Sequence, residues 1–296
     1  MKVLVAGGSG LIGAHVVDVL RERGHTVTTV ARAHADHVVD LGRATDAQLR
    51  GMTAGQDGVV YAARTDEQRP LPKPAYPVMH AAMVGPVTRL FAAAREEGVV
   101  SGVLMGSYYT YFDRLRPEWR LTDRHPYIRG RVAQAREARS TGLPVAVIEL
   151  PFVFGRAGDR LPNWSPPLAR WARSGAPLFA PGGGTAAVSA RGVAETAVDA
   201  LDRASSEDLP VSDENLSWRD LLTRMAVAVG RPRTVHRLPA PAVRLPLALG
   251  KALLSARRLE SGTDPRHFAR LALTGLYIEP LSGRSLGPAF AQTFQP

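Results

Sequence analysis

The sequence predicts an α/β fold built on a doubly wound parallel sheet, followed by a smaller C-terminal lobe. Three observations predict it. Short apolar, β-branched runs alternate with segments of helical apolar spacing through the first 150 residues. A glycine-rich turn, Gly7-Gly8-Ser9-Gly10-Leu11-Ile12-Gly13, stands between the first strand and the first helix. After Pro151 the texture changes, with Pro162, Pro166, Pro167, Pro177, Pro181 and the run Gly182-Gly183-Gly184 breaking regular structure.

The elements follow in order. Residues 3–6 read as a strand, 11–23 as a helix and 25–30 as a second strand, which together make a βαβ unit. Residues 58–62 read as a buried strand, 79–97 as a helix ending at Gly98, and 103–105 as another strand. Residues 127–140 carry a helical pattern and 143–150 form an apolar strand. Such alternation places helices on both faces of a parallel sheet. In the C-terminal part, 192–201 reads as a helix returning to the first domain, and 217–229 and 245–254 as helices of the smaller lobe. The expected division is a dinucleotide-binding domain over 1–155, a return segment at 188–204, and a lobe made mainly of 156–296.

Composition narrows the function. The 296 residues are 45% hydrophobic, ample for a packed core, and contain no Cys. Disulfides, thiolate metal sites and Cys nucleophiles are therefore excluded, and a reducing, cytoplasmic setting fits. The formal charge of +10 comes almost entirely from Arg, with Lys2, Lys73 and Lys251 the only lysines. These cations form no clustered basic stripe with interleaved stacking aromatics, so nucleic acid is not the expected partner. The positive field favours an anionic small-molecule substrate. The apolar start resembles a secretory leader, with Ala31-Arg32-Ala33 as a cleavage site, but His15, Asp18, Arg21, Glu22 and Arg23 interrupt it. No run approaches the roughly 20 apolar residues of a membrane span, so no membrane partner is expected. His34 and His37, read as lying in an exposed loop, make no metal-binding motif, and no metal is expected. There is no Gly-x-Ser-x-Gly elbow of a serine hydrolase.

Gly7, Gly10 and Gly13 permit a tight turn, close backbone approach to a pyrophosphate and tight helix packing, with the helix N-terminus facing the phosphates. In this strand-turn-helix context the turn, with Ser9, Leu11 and Ile12, reads as a Rossmann-type dinucleotide site. Past the second strand, where an NAD enzyme normally offers a carboxylate to the ribose, the chain offers Ala31 and Arg32. That favours the 2′-phosphate of NADP(H), with NAD(H) as the alternative.

The glycine loop, Asp40-Leu41, Ala62-Ala63, Ser107, Tyr127 and Pro151-Phe152-Val153-Phe154-Gly155 resemble the extended short-chain dehydrogenase/reductase family, the NAD-dependent epimerase/dehydratase group, over nearly the whole chain. The resemblance implies a cofactor domain with a C-terminal substrate lobe, and reactions that begin with hydride transfer at an alcohol or ketone carbon. It also implies that the loop, Asp40, Leu41, Ala62, Ala63, Pro151, Phe152 and Val153 line the cofactor. Tyr127 would be the acid/base and Ser107 its oxygen-orienting partner.

In the family a Lys four residues after the Tyr lowers its pKa and holds the nicotinamide ribose; a tyrosine near pKa 10 needs a neighbouring cation to act as a base at neutral pH. Here that position is Arg131, and no other tyrosine has Arg or Lys at that spacing. A helix brings i and i+4 to one face, so Arg131 is the candidate for the missing Lys, although its planar fork is wider than an ammonium. A second departure is Ala82, where the family often places an Asn that holds a proton-relay water. The family's dehydratases usually carry Asp-Glu after the hydroxyl residue; Tyr108-Tyr109 here argues against dehydration.

Tyr108 and Tyr109 are candidates to line the substrate pocket, and Asn163 and Trp164, with Arg156 and Arg160, stand where the substrate lobe should begin. The expected function is an NADP(H)-dependent reductase or dehydrogenase acting on a small carbonyl or secondary alcohol, or an epimerase working through a transient ketone. The alternatives are a cofactor-binding sensor or scaffold without turnover, and a non-redox lyase or cyclase. By analogy with relatives, a homodimer would form through 79–97 and 127–140.

Overall fold

The protein is described here by a computed structural model covering residues 1–64 and 70–294. Its centre is a seven-stranded sheet of parallel neighbours, ordered Asp208–Pro210, Val145–Glu149, Ser101–Met105, Gly58–Tyr61, Lys2–Ala6, Thr26–Ala31 and His37–Val38. The interior strands are buried on both faces, which is why they read as continuous apolar runs rather than alternating ones. This is the Rossmann-type α/β sheet expected from the βαβ pattern.

Each face has its own helical cover. On one, the helices Leu11–Glu22 and Ala190–Asp202 pack through Val16, Val19, Leu20, Val193, Ala197 and Val198. On the other, Asp46–Thr53 and Gly85–Glu96 pack through Leu49, Leu90 and Phe91 against Leu4, Val59 and Leu104. The helix Pro126–Ser140 completes that layer with Ala138. At ~25 cal/mol per Å2 of apolar surface removed from water, these two layers are the main stabilising contribution.

A smaller four-stranded assembly is centred on Gly184–Ser189, which pairs in parallel with Phe152–Phe154 and Gly275–Leu276 and antiparallel with Glu214–Ser217. The helices Ser165–Arg173, Trp218–Ala228 and Gly287–Phe294 cover it with Ala172, Leu222, Met225, Phe290 and Phe294. The chain moves between the two sheets repeatedly, because Asp208–Pro210 lies in the large one and Glu214–Ser217 in the small one.

Four local readings are corrected. The helix expected over 79–97 is two, Tyr76–Met83 and Gly85–Glu96, divided at Val84, because Pro86 lacks the amide to continue the first and instead opens the second. Pro166 and Pro167 begin the helix Ser165–Arg173 instead of breaking structure. Of the triple glycine, Gly184 starts a strand, and a Cβ on Gly183 would come within 2.5 Å of the Ala272 and Thr274 carbonyl oxygens. His37 lies not in a loop but in the outermost strand of the large sheet, paired with Val30. Among the described residues, no helix is long and apolar enough to cross a membrane, and no group of three His, Asp or Glu is placed to hold a metal.

Candidate active site

The C-terminal ends of the central strands carry the candidate residues. Lys2–Ala6 runs into the glycine turn, where Gly7 has φ +85°, and its amide donates to the Val30 carbonyl at 2.7 Å. A side chain at Gly7 would meet the backbone of Ala62 and Ala63, which is why this position is glycine. Gly13 sits against Gly7 and Gly8, leaving no room for a Cβ. Gly10 differs: a Cβ there would touch only the Gly7 carbonyl oxygen, at 3.2 Å, and would otherwise enter open space. The helix Leu11–Glu22 has no side-chain cap and no acidic residue in its first turn. Its N-terminal amides, flanked by Ser9, Leu11 and Ile12, thus face that space with the positive end of the helix dipole. A pyrophosphate fits this cradle on charge and on backbone access. The same helix is tied across the site by His15, whose Nε2 lies 3.1 Å from the Arg156 carbonyl oxygen.

At the end of the second strand Arg32 is exposed. The first carboxylate beyond it, Asp36, turns back onto Thr29, accepting from its amide and hydroxyl at 2.8 Å each, and these bonds hold the carboxyl below the usual range. Asp40 closes its own turn by accepting from the Gly42 amide at 3.0 Å, while Leu41 is buried in the core beneath.

Ser107 follows the strand Ser101–Met105 and caps the helix Tyr108–Leu115, accepting from the Tyr109 amide at 3.5 Å. Tyr127 lies in the first turn of the helix Pro126–Ser140, with its backbone amide donating to the Gly262 carbonyl at 2.8 Å. One turn later Arg131 donates from Nε to the Tyr127 phenolic oxygen at 3.1 Å and from Nη1 to the Met105 carbonyl at 3.3 Å. The structure therefore joins Tyr127 and Arg131 to the end of the strand that leads into Ser107.

A residue that sequence reasoning missed completes this arrangement. Gln134 is 3% exposed, donates to the Met83 carbonyl at 2.8 Å and accepts from Arg131 Nη1 at 2.9 Å. Ala82 itself points to solvent, and the neighbouring carbonyl of Met83 is the polar group that the helix break exposes. In the sequence Gln134 is only a polar residue three positions after Arg131, and nothing local points to its Met83 partner. The Arg131 charge is also felt at buried Tyr61, where burial pushes the phenol up to about 12 and Arg131 partly opposes it.

The aromatic candidates separate. Tyr109 is partly exposed and lies edge-on to Tyr127, ring centroids 6.4 Å apart; burial raises its pKa well above the usual value. Tyr108 is buried and its hydroxyl lies 3.2 Å from that of Thr185 in the small sheet. Val153 is buried, and Phe152 packs against Trp164 at 5.1 Å and Trp218 at 5.3 Å. Pro151 joins the two sheets at that point. The side-chain amide of Asn163 lies against the guanidinium of Arg64, the residue after Ala63. Arg160 lies in a turn bonded to Ala157.

Solved structures share this architecture. The human epimerase family protein SDR39U1, determined with NADPH, is 19% identical with a TM-score of 0.70, covering 99% of both chains. A nucleoside-diphosphate-sugar epimerase from Pseudomonas aeruginosa is 19% identical with a TM-score of 0.69, covering 99% of this chain and 96% of that one. A UDP-N-acetylglucosamine 4-epimerase from Bacillus cereus is 19% identical with a TM-score of 0.63, covering 80% and 87%. At these identities the likeness is one of fold. No curated protein matches the sequence. The pattern of the NAD dependent epimerase/dehydratase family matches residues 3–208, which span the glycine turn, the Tyr127–Arg131 pair and the strand Val145–Glu149, and the chain belongs to that family.

Proposed function

We propose that this protein is an NADP(H)-dependent oxidoreductase acting on a small carbonyl or secondary alcohol, with Tyr127 as the acid/base. The carrying observation is the 3.1 Å bond from Arg131 Nε to the Tyr127 phenolic oxygen, beside the strand end that leads to Ser107. When bound, the nicotinamide supplies or accepts the hydride.

The residues divide the remaining work. Tyr127 passes its hydroxyl proton to the substrate oxygen in reduction, or takes it in oxidation. Arg131 donates to that phenolic oxygen from Nε, in the place where the family elsewhere carries a Lys. Ser107 orients the same substrate oxygen. Gly10 and the first turn of Leu11–Glu22 hold the pyrophosphate. Arg32, with Asp36 occupied by Thr29, favours a 2′-phosphate over bare ribose hydroxyls. Tyr109, edge-on to Tyr127, borders the substrate space, and the positive charge of the chain suits an anionic substrate. Epimerisation through a transient ketone uses the same groups. On this reading the large sheet, which takes in Asp208–Pro210 beyond the expected return segment 188–204, forms the cofactor unit, and the small sheet, which takes in Phe152–Phe154 from the expected 1–155 domain, shapes the substrate site with most of 156–296.

A second reading, cofactor binding without turnover, rests on Arg in place of Lys and on the absence of Asn at Ala82. The test is a hydride-transfer assay over a panel of ketones and nucleotide-sugar substrates with NADPH, run beside Arg131→Lys and Arg131→Ala. Turnover that Arg131→Ala abolishes supports the adapted site; turnover that appears only in Arg131→Lys supports the silent binder.

A further inference from the structure

The helix Ala240–Ala256 lies on the surface with Val243 as its only buried residue. Leu245, Leu249 and Leu253, spaced four apart, are 69%, 62% and 55% exposed. At 100° per residue, Ala242, Ala252 and Ala256 fall on the same side, while Val243, Leu247 and Leu254 fall on the side turned toward the protein. The surface that faces solvent is thus a continuous apolar stripe running the length of a 17-residue helix. Soluble monomers rarely expose such a stripe without a partner.

Charge identifies the partner. Residues 221–259 contain seven Arg and one Lys and not a single Asp or Glu, in a chain whose net charge is +10. Arg224 and Lys251 are paired, with Glu214 and Asp264 at 2.6 Å each. Arg231, Arg237, Arg244, Arg257 and Arg258 have no ion pair among the described residues. Arg244 and Arg257 flank the apolar stripe on its two sides, one near each end of the helix. An apolar face bordered by uncompensated cations is the pattern of a helix that lies in an anionic bilayer surface, its leucines among the acyl chains and its arginines at the phosphates.

We propose that Ala240–Ala256 docks this protein peripherally onto anionic lipid. The proposal is independent of the hydride-transfer reading. It is tested by co-sedimentation of the full chain with vesicles of phosphatidylcholine alone and of phosphatidylcholine with phosphatidylglycerol, at low and physiological salt. Sedimentation velocity without lipid and circular dichroism accompany each variant. The expected result is binding to phosphatidylglycerol vesicles, about tenfold weaker to phosphatidylcholine and at higher salt. Leu245→Glu with Leu249→Glu should reduce it by at least about tenfold, and Arg244→Glu with Arg257→Glu should do the same while removing the salt dependence; all these positions are exposed, so the fold is kept. Failure to bind either vesicle overturns the proposal. So does a stable dimer that Leu249→Glu converts to monomer and that ignores lipid, which would assign the stripe to a second copy.

Discussion

The guanidinium of Arg131 bonds at once to the Tyr127 hydroxyl at 3.1 Å and to the Gln134 amide oxygen at 2.9 Å, so the cation is held on both sides. Gln134 can present that oxygen because its amide nitrogen is committed to the Met83 carbonyl. Tyr127→Phe is therefore expected to lower kcat by roughly 10²–10⁴-fold with NADPH affinity kept. Arg131→Ala is expected to lower kcat, since the Tyr127 phenolic oxygen loses the Nε donor that holds it. Stopped-flow measurement of hydride transfer checks both.

The glycines of the turn make a discriminating pair. Gly13→Ala forces a Cβ into Gly7 and Gly8 and should destabilise the fold itself, by a few kcal/mol, read as a lower urea midpoint. Gly10→Ala meets only one carbonyl oxygen at 3.2 Å and should leave the midpoint within about 1 kcal/mol while removing cofactor binding in calorimetry. Loss of stability in both, or of binding in neither, contradicts the assignment of Gly10 to pyrophosphate.

Arg32→Ala should weaken NADPH by about tenfold, ~1.4 kcal/mol, and leave NADH unchanged in parallel titrations. Equal losses for both cofactors would remove Arg32 from the 2′-phosphate.

His125 predicts an acid limit on stability. It is 1% exposed, its Nδ1 accepts from the Asp264 amide at 3.0 Å, and burial lowers its pKa from 6.5 to about 4, with the Asp264 charge opposing in part. The unfolded chain binds this proton near pH 6.5 and the folded chain only near pH 4. The contribution is therefore complete above pH 6.5 and lost as pH falls through 4, about 3 kcal/mol in all. His125→Phe should flatten urea midpoints between pH 6.5 and 4, at a lower plateau.

Arg114 and Glu149 test the sheet end from another side. The Glu149 carboxylate is fully buried, and Arg114 donates to both its oxygens at 2.8 Å. Burial raises its pKa, and Arg114 and Thr110 oppose that rise. Removing the half-exposed cation by Arg114→Ala should cost about 2 kcal/mol at neutral pH. The cost should shrink as pH falls, because the protonated carboxyl no longer needs the cation; denaturation at two pH values reads the difference.

The large sheet was legible because its interior strands are buried on both faces and its first turn carries three glycines whose spacing has few other uses. Tyr127 and Arg131 were legible for the same reason: i and i+4 on a helix share a face whatever surrounds them. Gln134 was not, since its value depends on a carbonyl 51 residues away that only the helix break at Val84 makes available. Nor was the helix Ser165–Arg173, because two adjacent prolines end a helix in its interior but suit its first turn. Tyr108 reads like Tyr109 in sequence; only the position of Thr185 in another sheet separates them.

Tyr127 takes its backbone anchor from Gly262 and its hydroxyl partner from Arg131, and two residues before it His125 clasps the Asp264 amide, 139 positions along the chain. The tyrosine is thus a rivet through two plates. Substitutions around 262–264 that never approach the substrate should tilt Tyr127 and be felt as slower proton transfer, so natural variation in the C-terminal third can tune the chemistry of a site encoded in the first half.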